Sequence, residues 1–123
     1  MPENMPTYDE NNIFAKILRG EIPCDKVYED DHVLAFNDID AKAPVHILVI
    51  PKGAYTSIDD FGANGSAAEI AAFYAAIAQI VKDEGLQANG FRCIANTGAH
   101  GGQEVPHYHM HILGGEVIGP MRG

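Results

Sequence analysis

The spacing of apolar residues predicts two helices in the chain. In "IFAKIL" the apolar residues recur at helical spacing, which indicates a short amphipathic helix that stops before Gly20 and Pro23. The clearest helical pattern begins at Ser66, where apolar residues three and four positions apart form one stripe. Ser66 and Glu69 have the spacing of a capping box, and Gly85 marks the end of the helix. We expect this long helix to cover a sheet.

The strand-like runs of the chain are apolar and rich in β-branched residues. The segment "KVYEDDHVLAFND" holds two such runs around a turn, which predicts a hairpin. The segment "APVHILVIPKG" is bounded by prolines and is typical of a buried strand. "FRCIAN" and "HYHMHIL" are predicted as the last two strands, and the glycine-rich "TGAHGGQEVP" between them as a loop.

The length and composition are those of one globular domain. The 123 residues are 46% hydrophobic and 20% charged. The polar start of the chain predicts a flexible leader over residues 1–11, followed by a single domain over residues 12–123. This leader has neither the basic nor the apolar zone of a signal peptide, and no apolar run reaches the roughly 18 residues of a membrane helix. We therefore expect a cytoplasmic protein that does not contact a membrane.

The charge of the chain limits the classes of molecule that it is expected to bind. With 8 basic and 17 acidic residues the formal net charge is -9, which opposes binding to the phosphate backbone of a nucleic acid. A small phosphorylated ligand remains possible, because backbone amides hold a phosphate without a basic surface. Cys24 and Cys93 could form one disulfide at most, and a reducing compartment favours two free thiols.

Three histidines alternate near the end of the chain. A strand would place His107, His109 and His111 on one face and the residues between them on the other. Two of them, or one of them with His46, could share a zinc ion. At a rise of about 3.3 Å per residue, however, His107 and His111 are roughly 13 Å apart, so the three do not easily converge on one ion. We expect neither a metal nor another cofactor.

The loop before these histidines favours phosphoryl chemistry. Gly101 and Gly102 allow the backbone to approach a ligand and to turn N–H groups towards an anion. A histidine has an ordinary pKa of about 6.5, so it is mostly neutral at cellular pH and can attack phosphorus. A neighbouring imidazole can donate to the phosphate or protonate the leaving group.

Two blocks of the chain resemble the histidine triad (HIT) proteins, specifically the Hint branch. They are "IFAKILRGEIPCDKVYEDDHVLAFNDIDAKAPVHILVIPK" and "NTGAHGGQEVPHYHMHILGG". The resemblance implies an α+β HIT-like fold with an antiparallel sheet of about five strands, one long helix and one short helix. It also implies a homodimer that forms one continuous sheet. The implied activity is a metal-independent hydrolase that cleaves purine nucleoside phosphoramidates into a nucleoside monophosphate and an amine, through a nucleotidyl-histidine intermediate.

The same resemblance implies a role for each site residue. His109 would be the nucleophile, His111 would contact the phosphate and leaving group, and His107 and His46 would orient the network. Asp38 would hold the ribose hydroxyls, although the residues alone favour a turn aspartate. The remaining nucleotide-binding residues would surround the base (Ile13, Phe14, Ile17, Phe36, Asn37, Ile39) or the phosphate (Asn96, Gly102, Gln103, Glu104, Val105).

Some positions depart from the pattern of relatives. Glu104 stands where some relatives carry serine, and a carboxylate beside a phosphate is unfavourable, so we expect its backbone N–H to face the phosphate. Asn12 and Ala15 occupy the places of a Cys-x-x-Cys pair that helps hold zinc in many bacterial relatives, so we expect no structural zinc. Pro106 lacks an N–H, which indicates a sheet edge or bulge before the histidines.

Other functions fit the same pocket. It could serve a nucleotide-binding regulatory or interaction module, in which hydrolysis is incidental. It could also belong to a hydrolase of dinucleoside polyphosphates or aminoacyl adenylates. The homodimer has separate support in the sequence, because the chain is small and its helical segment "FYAAIAQIV" is strongly apolar.

Overall fold

The computed structural model describes residues 7–122. The short and long helices expected from the sequence are α1 and α3, and the five strand-like runs are the five strands. The elements in chain order are α1 Ile13–Leu18, β1 Lys26–Glu29, β2 Val33–Asn37, β3 Val45–Pro51, α2 Ile58–Asn64, α3 Ala67–Asp83, β4 Arg92–Ile94, α4 Gly98–Gly101 and β5 Met110–Gly114.

The five strands form one antiparallel sheet in the order β1-β2-β3-β5-β4. This confirms the α+β class and the antiparallel sheet. β3 and β5 are neighbours although about 60 residues separate them along the chain, so β5 returns to the middle of the sheet. In their register His46 lies opposite Leu113 and Leu48 lies opposite His111, which makes the two histidines diagonal neighbours on one face.

Alternation along the strands gives the sheet two different faces. One face packs against α3 through a core that includes Ile47, Tyr108 and Ile112, all 2% exposed or less. The other face packs against α1 through a smaller cluster that includes Phe14 and Leu48. The histidines lie on this second face, where the Phe14 ring contacts those of His107 and His109. The prediction that the histidines and the residues between them point in opposite directions is confirmed.

The long helix begins and ends as its sequence predicts. The Ser66 hydroxyl accepts from the Glu69 N–H and the Glu69 carboxylate accepts from the Ser66 N–H, which completes the capping box. At the other end Gly85 adopts φ +70°, and the N–H groups of Gly85 and Leu86 bond to the carbonyls of Lys82 and Val81. This is a Schellman motif. No helix within residues 7–122 is long and apolar enough to cross a membrane.

Asn12 and Ala15 are joined at the start of α1. Asn12 Oδ1 accepts from the Ala15 N–H at 2.9 Å, and Asn12 Nδ2 donates to the Asp9 carbonyl at 2.7 Å. Asn12 is therefore a buried N-cap, 6% exposed. In this chain the two positions of the Cys-x-x-Cys pair serve to start the helix that carries Ile13 and Phe14.

The structure also differs from the expected elements. It adds two short helices, α2 and α4, and β5 begins at Met110, three residues later than predicted. The α2 pattern is weak because Phe61 is its only buried residue, and this ring stacks on Tyr108 from a distant segment. The last strand starts late because Tyr108 N–H bonds to the Tyr55 carbonyl, away from the ladder, and the His107 carbonyl accepts from the His109 ring. Pro106 lies before this segment and outside the sheet.

Candidate functional site

A cavity of about 500 Å³ opens on the sheet face that carries the histidines. Its floor comes from the central strands β3 and β5 and its walls from α1, the turn after β2 and the glycine-rich loop. Eleven of its lining residues are predicted site residues, in two groups: the imidazoles of His46, His109 and His111, and the neighbours Ile13, Phe14, Asp38, Ile39, Asn96, Gly102, Glu104 and Val105. The structure therefore brings together most of the site that the sequence predicts.

His109 presents one ring nitrogen to this cavity. Its Nδ1–H donates to the His107 carbonyl at 2.7 Å, so in the neutral ring Nε2 carries the lone pair. The Phe14 ring packs edge-on against the imidazole, with centroids 5.0 Å apart. Burial lowers the pKa of His109, which keeps the ring neutral at pH 7. The arrangement leaves an oriented, uncharged nitrogen at the cavity wall.

His46 and His111 form a hydrogen-bonded pair. The Lys42 N–H donates to His46 Nδ1 at 2.9 Å, so the proton of neutral His46 is on Nε2. His46 Nε2 in turn donates to His111 Nδ1 at 2.9 Å. The proton of His111 is therefore on Nε2, which is the nitrogen left for a ligand. Burial lowers the pKa of His46 and lowers that of His111 to about 4.

His107 lies beneath the cavity instead of lining it. Its ring is fully buried, with Nε2–H donating to the Pro51 carbonyl at 2.8 Å and Nδ1 accepting from the Tyr8 hydroxyl at 2.6 Å. Burial lowers the pKa of His107 to about 4. Both ring nitrogens are occupied, so His107 supports the backbone carbonyl that orients His109.

The glycine-rich loop forms the wall beside His109. Gly102 has φ +73°, a left-handed conformation that favours glycine. A side chain at Gly101 would meet the Asn96 backbone only at ordinary contact distance, so another residue could stand there without a clash. Of the two glycines, Gly102 is therefore the one whose backbone conformation favours glycine. Within residues 7–122 the N–H groups of Glu104 and Val105 have no protein acceptor, and both residues line the cavity. These two donors are available to an anion.

The Asp38 carboxylate stabilises a turn and also lies at the mouth of the cavity. Its Oδ1 accepts from the Asp40 N–H at 2.9 Å, and its Oδ2 lies 3.4 Å from His46 Nε2. Two apolar side chains flank the same opening, with Ile39 fully exposed and Ile13 43% exposed. An exposed apolar pair beside a cavity is suited to hold a flat, weakly polar group such as a base.

Several predicted site residues do not line the cavity. Phe36 is 4% exposed and Ile17 packs against the same small core cluster. Asn37 donates from its side chain to Asp25, and Gln103 is bonded to the protein on both ends of its amide. The family resemblance identifies these residues as near the site but does not separate a lining position from a supporting one.

Five further residues that were not predicted from the sequence also line the cavity: Asp40, Lys42, Leu48, Ile94 and Leu113. Leu48 and Leu113 follow the alternation of β3 and β5 and share a face with the histidines, so strand periodicity could have identified them. The Lys42 contact with His46 is made by a backbone N–H, which no side-chain pattern reveals.

Among residues 7–122, one group of side chains could hold a metal ion. Asp38, His46 and His111 each offer a ligand atom within 4.8 Å of the others. A metal at His46 Nε2 needs the lone pair of that nitrogen, whereas the Lys42 N–H on Nδ1 holds the proton there. The hydrogen bonds of the site therefore oppose the binding of a metal ion by these three side chains.

The geometry agrees with comparisons to known proteins. A family model described as the HIT domain matches residues 19–117. The chain belongs to the HIT family. An uncharacterized HIT-like protein of Azospirillum brasilense is 53% identical over 115 residues, covering 94% of each chain. A protein of Escherichia coli K12 named purine nucleoside phosphoramidase is 48% identical over 112 residues, covering 91% of this chain and 93% of that protein.

Solved structures of the HIT family have the same fold. A HIT family hydrolase from Clostridium thermocellum has a TM-score of 0.82 at 38% identity, covering 90% of this chain and 96% of that one. A histidine triad protein from Clostridium difficile has a TM-score of 0.78 at 47% identity, covering 89% and 95%. The fold assignment therefore rests on both sequence and structural similarity.

Proposed function

We propose that this HIT protein is a hydrolase of purine nucleoside phosphoramidates. The observation that carries the proposal is the orientation of His109, whose Nδ1–H is held by the His107 carbonyl so that the neutral Nε2 faces the cavity beside His111. A neutral, oriented imidazole can attack phosphorus as a nucleophile. The Escherichia coli relative named purine nucleoside phosphoramidase supports the substrate class.

In the first half of the proposed reaction, His109 Nε2 attacks phosphorus. The P–N bond to the amine breaks and its electron pair stays on the amine nitrogen, which takes a proton drawn from solvent through His111 Nε2. In the second half, water attacks the phosphorus of nucleotidyl-His109, the bond to Nε2 breaks, and the proton of the water leaves through His111. The net change is the addition of one water across the P–N bond, and no step uses a metal ion.

The binding residues would divide between the two ends of the nucleotide. Asp38 would accept from the ribose hydroxyls at the cavity mouth, and Ile13 and Ile39 would hold the base. The N–H groups of Glu104 and Val105 would donate to the phosphate. Phe14, Asn96 and Gly102 would complete the wall of the cavity. The residues that would support this wall from outside the cavity are Ile17, Phe36, Asn37 and Gln103.

The test is single-turnover kinetics on an adenosine phosphoramidate in the presence of a chelator, with an alkaline quench, in which the P–N bond of the adduct is stable, and mass spectrometry of the protein. Wild type should release the amine and gain the mass of one nucleotidyl group, which is a nucleoside monophosphate less one water. His109→Ala should show neither, while its affinity for the nucleotide changes by less than about tenfold, or roughly 1.4 kcal/mol. His111→Ala should still form the adduct, about 10²-fold to 10⁴-fold more slowly.

Two outcomes would contradict this assignment. One is turnover by His109→Ala at the wild-type rate. The other is an adduct on His107 or His111 in the wild-type protein. Parallel reactions with a dinucleoside polyphosphate and an aminoacyl adenylate distinguish the other substrates, and tight nucleotide binding without any turnover would favour a regulatory module.

We also propose that the working protein is a homodimer joined along β4. This strand is an edge of the sheet, so one of its sides has no ladder partner within residues 7–122. Phe91, directly before this strand, is a large apolar side chain that is 42% exposed. Pairing of two β4 strands would cover this edge and join the two sheets into one.

A further inference from the structure

The side-chain amide of Gln103 is fully occupied by the protein. Its Oε1 accepts from the Gly98 N–H at 3.1 Å. Its Nε2 donates to the Thr56 carbonyl at 2.7 Å and to the Val105 carbonyl at 2.9 Å. A primary amide has two donor hydrogens, and both are used, so this side chain has no donor left for a ligand.

These bonds connect both ends of the glycine-rich loop to a separate part of the fold. Gly98 lies at the start of the loop and Val105 at its end, whereas Thr56 belongs to the segment before α2. The backbone of Gln103 adds a further bond, from its N–H to the Gly98 carbonyl at 3.0 Å. One residue therefore closes the loop on itself and attaches it to Thr56.

The Thr56 segment is a firm point of attachment. Thr56 is 7% exposed, and both its N–H and its hydroxyl donate to the Asp60 carboxylate at 2.8 and 3.1 Å. The adjacent Tyr55 carbonyl accepts from the Tyr108 N–H at 2.8 Å. The same segment thus holds the loop through Gln103 and the histidine segment through Tyr108, which fixes the distance between the two.

We propose that Gln103 is a positioning residue that clamps the glycine-rich loop so that the N–H groups of Glu104 and Val105 face the phosphate beside His109. This inference rests on the proposed function, and it replaces the expectation from family resemblance that Gln103 itself contacts the nucleotide. Donors fixed before the substrate arrives need no reorganisation during the reaction, which is the source of their effect on rate.

Gln103→Glu is the sharpest variant because it keeps the shape of the side chain. At neutral pH its carboxylate cannot donate, and it opposes the carbonyl oxygens of Thr56 and Val105. Gln103→Ala removes the clamp without adding charge. Gln87→Glu is the matched control, since Gln87 is exposed in the turn after α3 and the substitution adds the same charge.

Hydrogen exchange of the ligand-free proteins distinguishes a clamp from a phosphate ligand. Before any ligand is added, a clamp predicts faster exchange of the residue 103 amide in both Gln103 variants. It predicts faster exchange of the Gly98 amide in Gln103→Ala, which removes the acceptor of that N–H, and unchanged exchange in Gln87→Glu. A direct phosphate ligand predicts no change in the ligand-free protein. Thermal unfolding is measured on the same samples, so that general loss of structure is recognised by faster exchange throughout the chain.

Function is measured as affinity for adenosine monophosphate and as the single-turnover rate. Both Gln103 variants should lose about 10-fold to 100-fold in rate relative to Gln87→Glu. In Gln103→Glu part of the loss should be recovered as the pH falls from 7.5 to 5, because a protonated carboxyl regains one donor; Gln103→Ala should show no recovery. The clamp also predicts lower nucleotide affinity in both variants, and this can be measured even if the wild-type protein does not turn over. Failure of the clamp hypothesis is thereby distinguished from failure of the proposed reaction.

Three results would overturn the inference. Local exchange that stays at the wild-type rate in both Gln103 variants would show that the loop does not depend on this amide. Faster exchange with wild-type affinity and rate would show a clamp without a role in the site. A loss of function confined to variants whose ligand-free exchange is unchanged would return Gln103 to the role of phosphate ligand.

Discussion

The proton on each histidine of the site is placed by a particular hydrogen bond. Backbone carbonyls accept from His107 and His109, and the Lys42 N–H donates to His46. His111 takes its tautomer from His46. Because burial lowers the pKa of all four rings, they are neutral at pH 7, and each ring offers one defined nitrogen.

The buried state of His107 makes stability depend on pH. Its pKa is lowered to about 4 in the fold, whereas in the unfolded chain it has its ordinary value of about 6.5. The unfolded chain binds the proton more tightly, so the contribution of His107 is complete above about pH 6.5 and is lost as the pH falls towards 4. We expect the free energy of unfolding to decrease over this window.

Urea denaturation at a series of pH values tests this expectation. His107→Gln should be less stable than wild type at neutral pH, and its free energy of unfolding should fall less steeply between pH 6.5 and 4. Some slope should remain, because burial lowers the pKa of His111 and His109 in the same direction. Equal slopes in the two proteins would show that His107 is not among the titrating groups.

At the scale of elements, short helices depend on their caps and on distant contacts. α1 has 6 residues and α2 has 7, lengths at which a helix is not stable by itself. The sequence predicted α1 because its apolar spacing is regular. It did not predict α2, because the packing of Phe61 against Tyr108 and Phe73 is set by residues from other elements.

Asn12 should therefore matter for α1 and for the residues that α1 brings to the cavity. Asn12→Ala removes the acceptor for the Ala15 N–H, and we expect it to lower the free energy of unfolding by about 1 kcal/mol. Asn12→Asp keeps an acceptor at the helix N-terminus and should recover most of this loss. Chemical denaturation of the three proteins measures both effects. Equal destabilisation by alanine and aspartate would assign the loss to the Asn12 bond with the Asp9 carbonyl instead.

At the scale of the whole molecule, the sheet has two unequal edges. β1 ends one side and β4 ends the other. The Arg92 guanidinium on β4 donates to the carbonyls of Gly119 and Pro120, at 2.8 and 3.3 Å, so the end of the described chain runs beside the β4 edge. Exposed Phe91 and Cys93 make this edge the better candidate for contact with a second copy.

The proposed dimer can be tested by placing a charge on that edge. Cys93→Lys should shift the protein from dimer to monomer in sedimentation at micromolar concentration, because two lysines would meet across the joined strands. Asp31→Lys, in the exposed turn at the opposite edge, changes the net charge more and should leave the dimer intact. A wild-type protein that sediments as a monomer with full activity would remove the dimer from the proposal.

The sequence by itself determined the features that depend on residues close together along the chain. The spacing of apolar residues established five strands, the short and long helices and the caps of α3, because helical and strand periodicities are local. Alternation placed the three histidines opposite the core. The family resemblance then indicated which cavity residues to expect.

Only the tertiary structure decided which residues line the cavity and how each is held. The bonds of His107 to Pro51 and Tyr8 span 56 and 99 positions, that of His111 to His46 spans 65, and that of Gln103 to Thr56 spans 47. Such partners meet because β5 returns to pair with β3, and periodicity carries no information about contacts at this separation. The same packing turned Gln103 away from the cavity and left Lys42, through its backbone N–H, to set the tautomers of His46 and His111.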